Sequence, residues 1–345
     1  MAKSYAKTMK LGLVGAETLL GRELQEVFES RSSGTVTTYS ATGEGNFGEQ
    51  EGEAVFVRPL DAEAIREERV VVLAGSAEGS AKAYQLAKVS GDRPVLIDCT
   101  GYLEKEPEAR IVAPLLQAPQ HKTSWLTVIA HPAASALALV LTRLARHKSI
   151  EQSIAHVFEP ASEQGKRGIS ELHQQTTSLL SFKPLEKHVF DAQLSFNLLA
   201  QYGEEAPVKL LSAEQRIERN LATLLGRFTN GSAVPMPSVR LIQVPVFHGY
   251  SISLWVKFAN EVNPQELREA LASAQIEIRG EDEESPSNVG AVSQSGLIAG
   301  DIRIDRNDPR AAWLWAVGDN LRLTADAAAD IVSELGSSEL GSDVQ

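Results

Sequence analysis

The chain has 345 residues, of which 43% are hydrophobic and 23% charged, with a formal net charge of −12 at pH 7. This is the profile of a soluble globular protein too long for one comfortable core. The negative balance disfavours non-specific binding to nucleic acid or an anionic membrane, and no apolar run reaches the roughly 18–20 residues that a membrane span needs.

One cysteine, Cys99, leaves no internal disulfide and fits a reducing cytoplasm. Seven histidines without HxxxH spacing, and no CxxC pair, give no support for a metal site. The opening MAKSYAKTMKLGLVG runs from a short polar arm into a strand, without the apolar segment and cleavage site of a signal peptide. LGLVGA (11–16) reads as that strand, followed by an amphipathic helix to Ser30. TVTTYSA (35–41), VVVLAGS (70–76) and PVLIDCT (94–100) read as further strands, with a helix over AKAYQLAKV between the last two. WLTVIA (125–130) then feeds the helix AASALALVLTRLARH (133–147) across a proline suited to a helix start. Strands alternating with helices at this spacing predict an α/β fold, a Rossmann-like doubly wound parallel sheet with helices on both faces.

Beyond about residue 150 the pattern changes. QSIAHVFEP (152–160), RLIQVPVF (240–247) and YSISLWVKFA (250–259) are long strands of alternating character between helical stretches. They predict an α+β second domain with a mixed or antiparallel sheet and more apolar strand surface than one half-buried sheet needs. Acidic GEDEESP (280–286) reads as a solvated loop. The expected division is 1–132, completed by a last helix over 319–337, and 133–318.

Gly12-x-x-Gly15-x-x-Thr18-x-x-Gly21 follows a strand and opens a helix, the context of a dinucleotide loop. Backbone N–H groups at such a helix start face a pyrophosphate, and small residues permit its approach. Thr18 is branched, and Glu17 brings a negative charge that would repel an anion. The loop alone is equally consistent with a tight turn that binds no phosphate.

Four further segments carry a family resemblance. VIAHPAASALAL (128–139) resembles the Ile-Ala-Asn-Pro-Asn-Cys segment of the aspartate-semialdehyde dehydrogenase family, and QVPVFHGYS (243–251) is similar to its Arg-Val-Pro-Val-x-x-Gly-His-Ser. LIDCTGYLEKEPEARIVAP (96–114) resembles the segment bearing a substrate-phosphate arginine, and GDNLRLTADAA (318–328) the Asp-Asn-Leu-Arg-Lys-Gly-Ala stretch by the nicotinamide. QLSFNLLAQ (193–201), ASEQGKRG (161–168) and ESPSNVG (284–290) are most similar to the family's Usg-like branch, whose sites are degenerate. The resemblance implies an NAD or NADP cofactor held by Gly12, Gly15, Thr18, Gly21, Ser40, Ser76 and Asn320. It also implies a homodimer built on the second domain and a thiolate that attacks an aldehyde.

The residues at the family's catalytic positions do not suit that reaction. The nucleophile position is Ala134 and the histidine position Tyr250, a phenol with a reference pKa of about 10 and a poor base at neutral pH. The carboxylate-binding arginine is Gln243, the phosphate-binding arginine is Glu104, and the glutamine beside the nucleophile is Glu159. Leu323-Thr324 replaces a lysine-glycine pair, and Thr42 replaces an arginine that reads the 2′-phosphate of NADP, which favours NAD. Losing a covalent nucleophile costs on the order of 10⁶ in turnover, roughly 8 kcal/mol of barrier.

Neighbouring residues do not restore the chemistry. Ser135 and His131 lack an evident carboxylate partner, and Ser135 reads as a helix-start serine. Cys99 reads as a small buried hydrophobe. His248 and Tyr250, and likewise Trp313 and Trp315, are spaced to share strand faces, where packing or interface roles are expected. The expectation is a pseudoenzyme with a binding or assembly role. The alternative, an NAD(P)-dependent oxidoreductase that needs no cysteine, rests on Gly15, Gly21 and Asn320.

Overall fold

The computed structural model describes residues 9–31, 34–40, 42, 46–50, 53–116, 124–228 and 234–340. The polar arm before Met9 and Ala41 of the second expected strand lie outside the described residues. Two compact units emerge, one of residues 1–130 with 324–345 and one of residues 131–323.

The first unit runs β1 (Lys10–Val14), α1 (Leu19–Ser30), β2 (Thr35–Tyr39), the hairpin of β3 (Asn46–Gln50) and β4 (Glu53–Val57), α2 (Ala62–Glu67), β5 (Val70–Leu73), α3 (Ala77–Val89), β6 (Val95–Asp98), β7 (Arg110–Val112) and β8 (Leu126–Ile129). Its six-stranded sheet has the order β2-β1-β5-β6-β8-β7, and every pairing is parallel. Because successive side chains alternate across a strand, both faces must be covered. Leu11, Leu13, Val70 and Val72 pack on one face with Leu24, Val27 and Phe28 of α1. Val71, Leu73 and Leu96 face the other side with Ile65 of α2 and Ala83, Tyr84 and Ala87 of α3.

The second unit contains α4 (Pro132–His147), β9 (Ile150–Glu159), α5 (Gly165–Leu180), α6 (Leu210–Gly226), β10 (Ser238–Gln243), β11 (Tyr250–Phe258), α7 (Pro264–Leu271), β12 (Ile276–Ile278), α8 (Asn288–Ala291), β13 (Leu297–Ile304) and β14 (Ala311–Gly318). The last helix, α9 (Asn320–Leu340), starts here and continues into the first unit. The sheet order is β10-β9-β11-β14-β13-β12, with an antiparallel centre and a parallel pair at each edge. Ala155, Val157, Leu254, Val256 and Leu314 are buried on one face. Ile154, His156, Phe158, Ser253, Trp255, Trp313 and Trp315 alternate with them and are only half-buried. Register places Trp255 between Ile154 and Trp313, and Ser253 between His156 and Trp315, so the half-buried side chains form one continuous face.

Two expectations require correction. The strand expected over 240–247 ends at Gln243, because Pro245 has no N–H for a ladder. The carbonyls of Val246 and Phe247 instead accept from the backbone N–H groups of Ala161 and Ser162 at 2.8 and 3.0 Å. His248 and Tyr250 do not share a strand face: β11 starts at Tyr250, and Gly249 has a left-handed φ of 84°, which breaks the alternation. Trp313 and Trp315 do share one, and the indole N–H groups of Trp255 and Trp313 both donate to Asp305 Oδ2, at 2.9 and 3.1 Å.

The glycines of the first turn are demanded by close backbone approach. A Cβ on Gly15, whose φ is 90°, would lie 2.5 Å from Gly75 Cα, and one on Gly21 would lie 2.0 Å from the Gly15 carbonyl oxygen. Neither neighbour is a flexible side chain. Gly21→Ala is therefore expected to destabilise the chain by about 2–3 kcal/mol. A urea-midpoint shift below about 0.5 kcal/mol equivalent would show that the turn is less rigid than its geometry requires.

Candidate functional site

In the second unit, Pro132 occupies the first turn of α4 and His131 is the N-cap. The imidazole Nδ1 accepts the Ala133 N–H at 3.2 Å, while the His131 N–H donates to Asn220 Oδ1 on α6 at 2.7 Å. An accepting Nδ1 leaves the proton of the neutral ring on Nε2. Burial, reinforced by the charge of Arg216, holds His131 well below its usual pKa and keeps it neutral. Its Nε2 lies 3.4 Å from the Tyr250 hydroxyl and 3.9 Å from Glu163 Oε2. At that separation a neutral imidazole and the carboxylate are neighbours rather than an ion pair. His131 caps the helix, and the Ser135 N–H enters the ordinary helical ladder, as expected of a helix-start serine.

Ala134 is the third residue of α4 and is fully buried, so its methyl group fills the helix start. Tyr250, at the head of β11, is also buried, and desolvation together with Glu163 and Glu159 pushes its phenol well above the ordinary value. It cannot serve as a base near neutral pH.

Glu159 closes β9, and Gln243 closes the paired β10 directly beside it. The Gln243 Nε2 donates to the carbonyls of Glu159 and Val244 at 2.8 and 3.1 Å, which fixes its Oε1 as an acceptor. The Tyr202 hydroxyl lies 2.6 Å from that Oε1 and 3.1 Å from Glu159 Oε1, with one proton for the two contacts. If Tyr202 donates across the shorter contact, Glu159 must be the donor in the other. Burial, then the neighbouring Glu163, raises Glu159 to about 8, against the favouring hydrogen bond from Tyr202. Burial beside Glu163 favours the protonated acid at neutral pH, the state in which Glu159 donates to Tyr202 while Tyr202 donates to Gln243. A neutral carboxylic acid offers one donor and one acceptor, as does an amide.

Glu163 has different partners. Asn320 Nδ2 donates to its Oε1 at 2.7 Å, while Asn320 Oδ1 accepts from the Gly249 N–H and the Ser162 hydroxyl at 3.1 and 3.2 Å. Desolvation raises Glu163, but Asn320 and the charge of Arg216 oppose that rise. Its pKa remains raised, by less than desolvation alone would give.

The structure thus brings Glu159, Gln243, Tyr250, Asn320 and Ala134 into one unit, with Tyr202, Glu163, Asn220 and Arg216 as members that sequence reading did not single out. Asn220 had a readable signal, a polar residue on the helix face that buries Ile217, Leu221 and Leu224. Glu104 belongs to the first unit, on the turn after β6. There Asp98 accepts from the N–H groups of Thr100, Gly101 and Leu103. Cys99 is buried in that unit's core, and desolvation followed by Asp98 raises its thiol well above the ordinary value.

The residues of the expected cofactor loop also lie in the first unit. Gly12 sits within β1, and a Cβ there would meet Tyr39 and Glu68 at 3.1 Å. Thr18 caps α1, accepting from the Gly21 N–H at 2.9 Å, with the carbonyls of Gly15 and Ala74 at 2.8 and 2.9 Å from its hydroxyl. Ser76 caps α3 through the Gly79 N–H at 3.1 Å, and Ser40 is buried, with its hydroxyl 3.2 Å from that of the exposed Thr42. Among the described residues no group of three or more His, Cys, Asp or Glu side chains is placed to hold a metal ion, and no helix is long and apolar enough to cross a membrane.

A folded-state pKa above the ordinary 4.5 means that the native chain holds a proton the unfolded chain has released. The associated stability is fully present below about 4.5 and is lost as pH rises through about 8. Glu159→Gln keeps the donor to Tyr202 and cannot ionise, so it is expected to exceed the wild type in stability at pH 9 by on the order of 2–4 kcal/mol. The difference should shrink as pH falls toward 5. Equal pH slopes for the two proteins in urea denaturation would contradict a protonated Glu159.

Residues 141–323 match the family model described as "Semialdehyde dehydrogenase, dimerisation domain". The chain is 27% identical over 323 residues to a USG-1 protein homolog of Azotobacter vinelandii, covering 90% of this chain and 93% of that one. It is 26% identical over 331 residues to an aspartate-semialdehyde dehydrogenase of Rickettsia bellii, covering 93% and 94%. The solved structure of a probable aspartate-semialdehyde dehydrogenase from Pseudomonas aeruginosa superposes with a TM-score of 0.80 at 28% identity, covering 95% of this chain and 98% of that one. With more than half of its length matched by the family model, the chain belongs to the semialdehyde dehydrogenase family.

Proposed function

We propose that this chain is an aspartate-semialdehyde dehydrogenase homologue that does not perform the thiol-dependent reaction and acts through binding or assembly. The observation that carries this reading is the buried methyl of Ala134 at the start of α4, between the N-cap His131 and the ladder of the first turn. Cys99 offers no substitute, because a thiol raised in pKa by burial is a weak nucleophile. Tyr250, Gln243 and Glu159 lack, respectively, the basicity, the positive charge and the amide that the family's positions would supply. A steady-state assay with NADP, phosphate and aspartate semialdehyde is expected to give no turnover above a heat-denatured control, and turnover above that control would overturn the reading.

The strand-to-helix turn of the first unit fits a dinucleotide. Its glycines allow the close backbone packing of the turn, and N–H groups at a helix start suit a pyrophosphate. Gly15, Thr18 and Gly21 would hold that group, with Ser40 and Ser76 at the ends of β2 and β5. Bound NAD or NADP would supply hydride chemistry, and Thr42 in place of an arginine favours NAD.

Assembly is supported by the half-buried face of Ile154, Phe158, Trp255, Trp313 and Trp315, on a domain whose family is described by its dimerisation. Burying such a face against a second copy would remove aromatic and aliphatic surface from water. Trp255→Glu is expected to convert a dimer into a folded monomer in size-exclusion chromatography with light scattering. An unchanged dimer would place the interface elsewhere.

A further inference from the structure

Asp305 stands just past β13, in the turn that leads into β14. The ladder pairs Arg303 with Trp313 and Ile304 with Ala312, and the Asp305 N–H then donates to the Ala311 carbonyl at 2.8 Å. By alternation Asp305 shares the side of the sheet that carries Trp313, which is the half-buried face. Both oxygens of its carboxylate are engaged. Oδ1 accepts the Asn307 N–H at 2.8 Å, and Oδ2 accepts the indole N–H groups of Trp255 and Trp313. Those two residues are register partners on β11 and β14, so one oxygen ties together side chains from neighbouring strands. The Asn307 N–H, followed by the Trp255 indole, holds the Asp305 carboxyl below the usual carboxylate range. The next cation on this face, Lys257, is likewise paired, its Nζ lying 2.8 Å from Asp308 Oδ2.

We propose that Asp305 is the positioning residue of the assembly face: it sets the Trp255 and Trp313 indoles in place so that a second copy of the chain can bury their rings. An indole has a single polar atom, a donor. Pressed into a dry contact without an acceptor, that N–H would lose its hydration with nothing in return. Asp305 satisfies both donors from within the chain, so the face asks a partner for apolar surface and for no acceptors. Side chains already anchored before association also give up less freedom when the contact forms. A partner that would recognise the indoles through its own acceptors finds the donors taken, whereas another copy of the same aromatic and aliphatic face meets the requirement. This inference rests on the assembly reading of that face and names the residue that prepares it.

The test is the dimer dissociation constant of the full chain, from sedimentation velocity over a dilution series, in a mutant cycle. Asp305→Asn is nearly isosteric, but it replaces one acceptor oxygen by an amide donor, so the turn and the two indoles can no longer all be satisfied. It is expected to raise the dissociation constant tenfold or more. Trp255→Phe with Trp313→Phe keeps an aromatic ring at each position and removes both donors. Adding Asp305→Asn to that pair should change the constant by less than about twofold, because the clamp is already gone. A dimer unaffected by Asp305→Asn would overturn the proposal and leave the assembly reading standing. Equal weakening by Asp305→Asn with and without the indole donors would also overturn it, since the residue would then act through its turn alone. A wild-type chain that stays monomeric across the series would overturn the assembly reading and this proposal with it. Should Asp305→Asn fail to fold by circular dichroism, the double phenylalanine variant carries the test: it leaves the turn intact, and an unchanged dissociation constant would overturn the proposal.

Discussion

Two carboxyl groups and an imidazole share a buried region of the second unit, and their charges have to be settled almost without solvent. Ionising a buried carboxyl is expensive, and ionising two side by side more so. The cluster divides the burden. Glu163 is the better placed of the two to carry charge, because Asn320 donates to it and Arg216 opposes the rise that burial imposes. Glu159 takes the proton, because Tyr202 and Gln243 leave it a place to donate. His131 stays neutral because its Nδ1 is spent on the helix start. Backbone partners fix the orientation of Gln243, Asn320 and His131 in this cluster.

That arrangement changes how the glutamate at position 159 should be read. In sequence it looks like a charge introduced where the resembling family has an amide. In the structure a neutral carboxylic acid, with one donor and one acceptor, occupies nearly the same hydrogen-bonding role. The difference is that the acid can lose its proton, which makes the local network responsive to pH in a way an amide is not. The charge at this position is therefore conditional on pH.

The fold was legible because its signals are periodic. Short continuous apolar runs in β5 and β6 and the proline that opens α4 mark their elements directly. The failures were local. The stretch over 240–247 has strand composition throughout, and the single Pro245, with backbone partners supplied by Ala161 and Ser162, ends the ladder at Gln243. His248 and Tyr250 looked co-facial until the left-handed Gly249 intervened. The site was legible only at positions that a resemblance could index, such as Ala134 and Tyr250. Tyr202, Arg216 and Glu163 come from segments whose proximity depends on tertiary packing, and no spacing rule joins them. Protonation was still less readable, since it depends on burial and on which partner holds the hydrogen.

The same electrostatics bear on whether the missing thiol alone separates this site from a working one. A helix start favours a thiolate by its partial positive charge. Here the first turn of α4 is already capped by a neutral imidazole, the Glu163 carboxylate lies 3.9 Å from that ring, and Ala134 is buried. Burial and a nearby negative charge both raise a thiol's pKa, as Cys99 beside Asp98 illustrates within this chain. A cysteine at position 134 would therefore stand in surroundings that oppose its ionisation, and neither Tyr250 nor His131 is poised to remove its proton. On the proposed reading more than one atom is at issue: the helix start is capped by a neutral imidazole beside Glu163, and the surroundings of Ala134 are buried, conditions that disfavour a thiolate.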